Sequence, residues 1–320
     1  MAKALVTGGA GFIGFHLCGA LIKQGFTVYC LDNLITGSKN NINSLLDNPN
    51  FVFVEQDITS SFETVADRFG EINYIFHLAS PASPNPSASK SYVNLPIETM
   101  LANSLGTYNF LLLAKEKSSK FLFASTSEIY GDPAVNPQPE SYFGNVNPVG
   151  SRSVYDEAKR FGEALTFAYL RKFDLDARVI RIFNTYGPNM RKDDGRVISN
   201  FVNQALQGLP ITVYGNGNQT RSFCYIDDMV DGILSVMLRG NTKGEVINLG
   251  NPDERTIAEI ASIVKKLTGT SSEIVNEPRP VDDPEKRKPD IEKAKKLLKW
   301  EPKVSLEDGL KKTIEYFRNV

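Results

Sequence analysis

The chain has 320 residues, 41% of them hydrophobic, so it can bury a sizeable core and exceeds the usual size of a single domain. Its 36 basic and 37 acidic side chains leave a net charge of −1, which gives no overall field to attract nucleic acid or an anionic membrane. No run approaches the roughly 18 to 20 apolar residues of a membrane span, and the 3 cysteines lack metal-ligand spacing. We therefore expect a soluble, cytoplasmic protein with one large and one small domain that binds no metal, no nucleic acid and no membrane.

A glycine-rich turn between a strand and a helix is the first motif in the chain. Residues 4–7 form a short apolar run, and residues 12–23 have the apolar spacing of a helix. Gly8, Gly11 and Gly14 lie in the turn, where glycine permits a tight bend, approach of the backbone to a pyrophosphate and close packing of helix on strand. Gly8, Gly11 and Gly14 have the spacing G-x-x-G-x-x-G, and Gly9, Gly11 and Gly14 have the spacing G-x-G-x-x-G, so spacing alone does not decide which variant is present. The pattern predicts a dinucleotide site in a doubly wound parallel sheet.

Acidic residues follow the next two predicted strands. Asp32 ends the second strand about 20 residues after the glycine turn, where its carboxylate can accept a hydrogen bond from a ribose 2′-hydroxyl. This position favours NAD over NADP. Asn33 opens a loop that can close over the adenosine end, and the third strand, over 51–58, brings Asp57 and Ile58 to the adenine.

The fourth predicted strand, over 74–80, is a continuous apolar run, as expected of a strand buried on both faces. We interpret His77, inside this run, as a core histidine rather than a catalyst. Residues 81–91 are rich in Pro, Ser and Ala and exceed the usual length of a strand-to-helix connection. They are predicted to form an active-site loop, and a surface excursion is the alternative that composition leaves open.

Residues suited to acid–base chemistry follow the fifth predicted strand, over 121–125. Tyr155 and Lys159 are four residues apart and share one face of a helix that runs to about residue 173. A fixed lysine cation favours the phenolate and brings tyrosine toward useful acid–base chemistry. Ser125 or Thr126, at the strand end, offers a hydroxyl to the reacting alcohol. Together with the dinucleotide motif, these residues predict hydride transfer at a carbinol carbon.

The alternation of strands and helices ends after the sixth predicted strand, over 177–183. We predict a dinucleotide-binding domain over 1–183 and a smaller substrate-binding domain over 184–320, with part of 224–251 returning to the first domain. Further helices are predicted over 197–207, 229–238, 257–267 and 306–317, and further strands over 211–214 and 246–250.

These motifs together resemble the extended short-chain dehydrogenase/reductase family, whose members rework nucleotide sugars while keeping their NAD. The resemblance covers essentially the whole chain, is closest to the UDP-glucuronate decarboxylase branch, and implies an α/β Rossmann fold with a smaller C-terminal substrate-binding α/β domain. The segments that carry it are 8–14, 78–84 (LASPASP), 124–133 (ASTSEIYGDP), 155–159 (YDEAK), 181–188 (RIFNTYGP), 194–197 (DGRV), 219–223 (QTRSF) and 282–290 (DDPEKRKPD). The loop over 85–93 is longer than is usual in this branch.

The resemblance assigns binding roles to residues along the whole chain. The implied NAD ligands are Gly8, Gly11, Phe12, Ile13, Gly14, Asp32, Asn33, Asp57, Ile58, Leu78, Ala79, Ser80, Asn103, Ser125, Tyr155 and Lys159. The implied ligands of the nucleotide sugar are Asn184, Arg196, Val197, Tyr214 and Arg221, with Asn184 and Arg221 on the diphosphate and Tyr214 beside the uracil. Arginine suits a diphosphate because its planar guanidinium makes two charge-assisted hydrogen bonds at once.

The tripeptide Thr126-Ser127-Glu128 separates the reactions of the family. The 4,6-dehydratases that this stretch resembles carry Asp-Glu here, and the 4-epimerases lack the glutamate, so Ser127 followed by Glu128 is similar to the decarboxylases. The resemblance also places Arg287 beside the sugar carboxylate, for which a solvated basic loop is the alternative. The implied catalytic residues are Tyr155, Lys159, Thr126, Ser127, Glu128 and Arg287.

The implied reaction converts UDP-glucuronate to UDP-xylose and CO₂. Tyr155 removes the proton of the C4 hydroxyl as hydride passes to NAD⁺, and the 4-ketone then acts as the electron sink for loss of the β-carboxylate. The enolate is protonated at C5, and the retained NADH reduces the ketone. NAD is thus regenerated within each turnover.

Two alternatives to this reaction remain open. A 4,6-dehydratase or 4-epimerase acting on a UDP- or dTDP-sugar would have the same fold. An NAD-binding regulatory protein is the alternative of another class, and the intact Tyr155, Lys159 and Thr126 argue against it. The resemblance further implies a homodimer that pairs through two helices per subunit, here those that hold Asn103 and Tyr155.

Overall fold

A seven-stranded parallel sheet forms the centre of the structure, a computed structural model that describes residues 1–239, 241–279 and 284–320. Its strands are β1 (Lys3–Thr7), β2 (Thr27–Asp32), β3 (Phe51–Glu55), β4 (Tyr74–His77), β5 (Lys120–Thr126), β6 (Ala177–Ile182) and β11 (Val246–Leu249), in the order β11-β6-β5-β4-β1-β2-β3. The connections diverge between β1 and β4, and a ligand of such a sheet binds at that point, beyond the carboxyl ends of the strands. The predicted doubly wound parallel sheet is confirmed.

Helices cover both faces of this sheet, while α7, α9 and α11 pack on one another and on the short strands. In the described part of the chain the α-helices are α1 (Phe12–Lys23), α2 (Lys39–Ile42), α3 (Phe62–Ala66), α4 (Pro96–Leu101), α5 (Thr107–Lys117), α6 (Ser153–Phe173), α7 (Val197–Leu206), α8 (Ile226–Leu234), α9 (Ile257–Thr268), α10 (Glu292–Leu298) and α11 (Leu306–Arg318). Successive strand residues point to opposite faces, so Ala4 and Val6 pack in one hydrophobic cluster while Leu5 packs in the other. Two cores result, one on each face of the sheet.

Short strands build the part of the chain between the sixth and seventh strands of the main sheet and beyond it. They are β7 (Thr185–Tyr186), β8 (Ile211–Tyr214), β9 (Thr220–Ser222), β10 (Cys224–Tyr225), β12 (Glu254–Thr256), β13 (Ile274–Glu277) and β14 (Lys286–Arg287). They pair as β10-β7, β12-β9-β14 and β13-β8. Strand β11 lies between these segments in sequence but pairs with β6, which agrees with a return of part of 224–251 to the main sheet. The exact division into domains at residue 183 stays a prediction.

The helix that holds Asn103 is interrupted in the structure. A π-helical turn, Ala102–Gly106, separates α4 from α5. At Gly106 a Cβ atom would lie 2.5 Å from Cδ1 of Ile58, so the turn brings its backbone close to the loop after β3. A π-turn adds one residue to a helical turn without changing the apolar pattern enough for sequence to reveal it.

His77 lies in the core, as the sequence analysis predicted. Its Nδ1 and Nε2 atoms are 2.9 and 3.1 Å from the hydroxyls of Thr7 and Thr107, and its ring stacks on Phe110. Burial, with a smaller effect of the Lys159 charge, lowers the pKa of His77 to about 3. The imidazole is therefore neutral and held by hydrogen bonds at both nitrogens. In the described part of the chain, no helix combines the length and apolar character that a bilayer crossing requires.

Candidate active site

A cleft of about 570 Å³ lies along the carboxyl ends of the sheet strands. It is bordered by the glycine turn after β1, the loops after the next four strands and the first turns of α6. The predicted site residues that line it are Gly8, Gly11, Phe12, Ile13, Gly14, Asp32, Asn33, Asp57, Ile58, Leu78, Ala79, Ser80, Ser125, Thr126, Ser127, Glu128, Tyr155, Lys159, Asn184 and Arg196. Sequence segments far apart in the chain thus meet at one place.

The glycine turn fits a dinucleotide. A Cβ atom on Gly14 would lie 2.1 Å from the carbonyl oxygen of Gly8, so α1 packs too closely on the turn for any side chain there. Gly8 has a φ of +71°, and a Cβ atom on it would lie 2.9 Å from Cα of Ala79. The bare backbone at the N-terminus of α1 can therefore approach a pyrophosphate, whose charge the helix dipole favours.

The loops after β2 and β3 hold the acidic residues predicted for the adenosine end. Asp32 is buried and accepts hydrogen bonds from the backbone N–H groups of Ala10 and Leu34 at 3.0 and 2.8 Å. Burial raises the pKa of Asp32, and these backbone bonds act against it. Asn33 donates to Asp57 at 2.7 Å, which ties the two loops together. The carboxylate of Asp32 is thereby fixed where a ribose hydroxyl can meet it.

Asn103 lies behind the cleft wall rather than in the lining. Its side-chain amide donates to the hydroxyl of Ser80 and to the carbonyl of Thr99, both at 2.8 Å. No described residue donates to its buried Oδ1 atom. Asn103 therefore orients Ser80, which does line the cleft, and its direct contact with NAD stays a prediction.

Tyr155 and Lys159 meet in the cleft one helical turn apart on α6. The Lys159 ammonium donates to the carbonyl of Ala124 at 2.8 Å and lies 5.8 Å from the centre of the Tyr155 ring. Burial lowers the pKa of Lys159 to about 7. Burial, followed by the charge of Glu128, raises the pKa of Tyr155, whereas Arg196 and a hydrogen bond with Thr126 lower it.

Thr126 is the strand-end hydroxyl that remains available to a reacting alcohol. The hydroxyl of Ser125 donates to Glu163 at 2.6 Å, and Glu163 in turn forms an ion pair with the buried Arg181 at 2.8 Å. Thr126 instead faces Tyr155 and caps the following turn by accepting from the backbone N–H of Glu128 at 3.2 Å. The sequence left these two hydroxyls as alternatives, and the geometry favours Thr126.

Glu128 is the centre of a partly buried charge cluster. Its Oε2 atom is 2.8 Å from Nη2 of Arg152, and its Oε1 atom is 3.8 Å from Nη1 of Arg287. Although burial acts in the opposite direction, these two guanidinium groups lower the pKa of Glu128 to about 2. Arg287, from the segment 282–290, contacts Glu128 but lines a second, smaller cavity rather than the cleft, so its contact with a substrate stays a prediction. Residues 282 and 283 of this segment lie outside the described part of the chain.

The sequence analysis missed three residues around Glu128. Tyr92 stacks on Tyr155 with ring centres 4.9 Å apart and donates to Glu128 at 3.4 Å. Arg152 is the N-cap residue of α6, and Asp156 lies in the first turn of that helix, next to Tyr155. Their positions, three residues before and one residue after Tyr155, were a usable signal for both, whereas nothing marked Tyr92 within its loop.

The loop over 81–95 closes against the segment over 190–196. Arg196 donates to the carbonyl of Ala82 at 2.7 Å, and the hydroxyl of Ser83 donates to the carbonyl of Asp194 at 2.5 Å. Tyr92 extends from this loop to Tyr155. These contacts favour the prediction of an active-site loop over that of a surface excursion.

Three predicted substrate ligands lie outside the cleft lining. Val197 begins α7, and Tyr214 is half-exposed at the end of β8. Arg221 is buried on β9, directly across from Arg287 in the β14–β9 pair, and donates to the carbonyl of Thr220 at 2.8 Å. Their roles in binding the nucleotide stay predictions.

The sheet, the glycine turn and the Tyr155–Lys159 pair together define a dehydrogenase-type dinucleotide site. The model of the NAD dependent epimerase/dehydratase family matches residues 4–250, and the chain belongs to that family. UDP-glucuronic acid decarboxylase 1 of Xenopus tropicalis is 48% identical over 316 residues, which cover 99% of this chain and 72% of the relative. UDP-glucuronic acid decarboxylase 3 of Arabidopsis thaliana is 49% identical over 317 residues, covering 99% and 89%.

Solved structures of epimerases are similar over nearly the whole chain. UDP-glucose 4-epimerase of Thermotoga maritima with UDP-glucose matches with a TM-score of 0.89 and 35% identity, covering 99% of each chain. UDP-glucuronic acid 4-epimerase of Bacillus cereus with UDP-glucuronic acid and NAD matches with a TM-score of 0.87 and 31% identity, also covering 99% of each chain. The fold and the NAD cofactor predicted from the sequence are confirmed.

Proposed function

We propose that this chain is an NAD-dependent UDP-glucuronate decarboxylase that forms UDP-xylose and CO₂. The observation that carries the proposal is the contact of Glu128 with Arg287 beside Tyr155, with Ser127 where the dehydratases carry an acid. Arg287 is buried, so its guanidinium can pair with a sugar carboxylate in a site with little competing water. The decarboxylase names of relatives at 48 and 49% identity support the same reaction.

Tyr155 and Thr126 hold the C4 hydroxyl of the sugar in this mechanism. Thr126 positions the hydroxyl, and Tyr155 accepts its proton and later returns it. Bound NAD would supply the hydride acceptor for C4 and the hydride donor that completes the turnover. The residues that would hold NAD are the glycine turn, Asp32 and Lys159. Arg287 holds the C6 carboxylate beside Glu128 until the C5–C6 bond breaks.

The reaction can be identified from its products. The purified protein would be incubated separately with UDP-glucuronate, UDP-glucose and dTDP-glucose, and each product weighed. We expect loss of CO₂ from UDP-glucuronate. Loss of water from either glucose nucleotide would identify a 4,6-dehydratase, and an epimer of unchanged mass would identify a 4-epimerase; either result without CO₂ release contradicts the proposal.

Substitution of Arg287 tests its contact with the sugar carboxylate. A charge-assisted hydrogen bond contributes about 1.5 to 3 kcal/mol, so Arg287→Ala should weaken UDP-glucuronate binding roughly 10- to 100-fold and leave UDP binding nearly unchanged. Arg287→Lys should recover little, because an ammonium lacks the planar fork. Lys286→Ala, an exposed cation on the same strand, is the matched control. If calorimetric titrations show an equal loss of affinity for UDP-glucuronate and for UDP, Arg287 does not bind the sugar carboxylate.

We also propose that two copies of the chain form a homodimer through α4, α5 and α6. These helices and the π-helical turn between α4 and α5 expose a set of large apolar side chains, namely Ile97, Met100, Leu105, Tyr108 and Phe161. The set lies on the two helical segments through which the resembled family pairs, and a second copy would cover it. Met100→Glu should therefore shift the sedimentation mass to that of one chain, whereas Leu297→Glu on α10, with the same 44% exposure, should not. A wild-type mass of one chain would end this proposal.

The location of the nucleotide-sugar site and the cellular environment of the protein are two further proposals. The segments after Asn184 supply the nucleotide-sugar side of the site, since Arg287 and Arg221 come from the small sheet β12-β9-β14.

All three cysteines are buried free thiols, which supports a reducing, cytoplasmic environment.

A further inference from the structure

A buried aromatic ring on the loop over 81–95 packs against Tyr155. Tyr92 is 0% exposed, and its ring is 5° from parallel to the Tyr155 ring, with the two ring centres 4.9 Å apart. Stacking is a favoured arrangement of two aromatic rings, so this contact favours one orientation of the Tyr155 side chain. Tyr155 lies on α6, whereas the loop over 81–95, which is described throughout, contains no helix or strand. The orientation of the Tyr155 ring therefore depends on how this loop is held.

Hydrogen bonds hold the loop and fix the backbone of Tyr92. The N–H of Tyr92 donates to the carbonyl of Ser83 at 3.0 Å. The hydroxyl of Ser83 donates in turn to the carbonyl of Asp194, which attaches the loop to the segment before α7. The side-chain amide of Asn94 donates to two carbonyls earlier in the loop at 2.8 and 2.9 Å. The part of the loop that is longer than usual, over 85–93, is thus an ordered support for the Tyr92 ring.

The hydroxyl of Tyr92 makes a weaker contact than its ring. It donates to Oε2 of Glu128 at 3.4 Å, which is long for a hydrogen bond, while Nη2 of Arg152 donates to the same oxygen at 2.8 Å. Glu128 therefore keeps the shorter of these two bonds without the Tyr92 hydroxyl. The larger influence of Tyr92 on the site is the stacking of its ring on Tyr155.

Proton transfer at C4 of the sugar requires accurate placement of the Tyr155 hydroxyl. A general base must lie within about 2.6 to 3.2 Å of the group whose proton it takes. A displacement of about 1 Å, caused by a change away from the reacting atoms, can lower a rate by about 10²-fold. Among the described aromatic side chains, Tyr92 is the one that stacks on the Tyr155 ring.

We propose, on the basis of the decarboxylase function, that Tyr92 is a positioning residue for Tyr155. Its stacked ring holds the Tyr155 hydroxyl at hydrogen-bond distance from the C4 hydroxyl of the sugar, and the anchored loop holds the ring. This role involves no bond from Tyr92 to the substrate and no proton of its own. The packing of the loop over 81–95 thereby determines the rate of oxidation at C4.

Two substitutions separate the ring of Tyr92 from its hydroxyl. Tyr92→Leu removes the stacked ring, so kcat with UDP-glucuronate should fall about 10- to 100-fold while KM changes little, since a misplaced base affects the transition state more than substrate binding. Tyr92→Phe keeps the ring, so its kcat should stay within about threefold of the wild-type value. The amount of bound NAD should be that of the wild type in both variants. An equal loss of kcat in the two variants would assign the effect to the hydroxyl and overturn the proposal.

A double-mutant cycle tests whether Tyr92 acts through Tyr155. In Tyr155→Phe there is no hydroxyl to position, so adding Tyr92→Leu should lower the residual turnover by less than about twofold. A further loss as large as that in the wild-type background would show that Tyr92 acts elsewhere and would contradict the proposal.

Ser83→Ala tests the attachment of the loop without changing Tyr92. It removes the hydroxyl that bonds to Asp194, so kcat should fall in the wild-type background. The same substitution should have no added effect in Tyr92→Leu, because the ring that transmits the position of the loop is already absent. Additive losses of kcat would show that the loop acts on the site by another route than Tyr92.

Tyr142→Leu is the matched control. Tyr142 stacks on Tyr130 with ring centres 6.0 Å apart and lies outside the described lining of the cleft, so its loss should leave kcat unchanged. An equal fall in kcat would attribute the effect of Tyr92→Leu to a general loss of packing. Absence of CO₂ in the wild type would instead remove the decarboxylase function. The role of Tyr92 would then be measured on the product that does form, because 4-epimerases and 4,6-dehydratases also begin with oxidation at C4.

Discussion

The groups that surround Tyr155 differ in their effect on the pKa of its hydroxyl. Tyr92 stacks on one face of its ring, and Glu128 raises its pKa, while Arg196 and Thr126 favour the phenolate. Only Lys159 was expected from sequence to assist the phenolate. The pKa of Lys159 is lowered to about 7 by burial, so part of its charge is lost near neutral pH. Arg196, which comes from a distant segment, supplies a more permanent positive charge.

Tyr155→Phe should remove the acid–base hydroxyl and keep the stacked ring. We expect kcat to fall about 10²- to 10⁴-fold with UDP-glucuronate, since this is the usual contribution of a general acid–base group. Bound NAD and the melting temperature should change little because the ring remains packed on Tyr92. Turnover at the wild-type rate in a coupled assay would exclude Tyr155 from the chemistry.

Asp32 should make the enzyme selective for NAD. A 2′-phosphate would bring like charge to a carboxylate already fixed by Ala10 and Leu34, and no described arginine lies in the loop over 33–38. Fluorescence titration of cofactor-free protein should therefore show much weaker binding of NADP than of NAD. Asp32→Ala should reduce the difference between the affinities for NAD and NADP. Equal affinities in the wild type would contradict the role of Asp32 in NAD selectivity.

At the scale of elements, the strands and helices that sequence predicted well are those with strong periodicity. The glycine turn, β1, α1 and the sheet strands up to β6 follow from apolar patterns and turn residues. The π-turn at Ala102–Gly106 could not be predicted, because one inserted residue leaves the apolar face nearly intact. The strands predicted over 51–58 and 74–80 end earlier, at Glu55 and His77, and the residues that follow them line the cleft.

Gly162 fixes how closely α6 packs on the main sheet. A Cβ atom there would lie 2.2 Å from Cζ of Phe123, whereas a Cβ atom on Gly19 in α1 would meet nothing within 4 Å. Gly162→Ala should therefore lower the free energy of unfolding by about 1 to 3 kcal/mol, because overpacking outweighs the helix propensity gained. Gly19→Ala should raise it by up to about 1 kcal/mol. Urea unfolding of both variants tests the pair, and stabilisation by Gly162→Ala would contradict the packing argument.

At the scale of the whole molecule, the site could be predicted in part. Residues next to strand ends and in the glycine turn were found because the topology of a doubly wound sheet dictates where they meet. Tyr92, Arg152 and Asp156 were not, since their importance depends on convergence upon Glu128, which no local pattern records. The nucleotide ligands of the smaller strands remain predictions for the same reason.

Buried His77 should make the folded protein sensitive to acid. Its pKa is about 3 when folded and about 6.5 when unfolded. Between these values the unfolded chain binds more protons, so stability falls as the pH decreases, by about 1.4 kcal/mol per pH unit at most. Urea midpoints measured from pH 7 to pH 5 should show this slope in the wild type and a smaller one in His77→Leu. Identical slopes would assign the acid sensitivity elsewhere, for example to His16, which both proteins retain.

The pairing of β11 with β6 has a consequence for synthesis of the chain on the ribosome. Until residues 246–249 emerge, β6 is an open sheet edge whose residues Ala177–Arg181 are buried in the finished protein. Unpaired apolar edges are templates for association with other chains. A chain truncated after residue 183 should therefore aggregate even though it contains the glycine turn, Tyr155 and Lys159. The edge of β6 is covered only after β11 has been synthesised. A chaperone that binds β6 before then would raise the yield of folded enzyme.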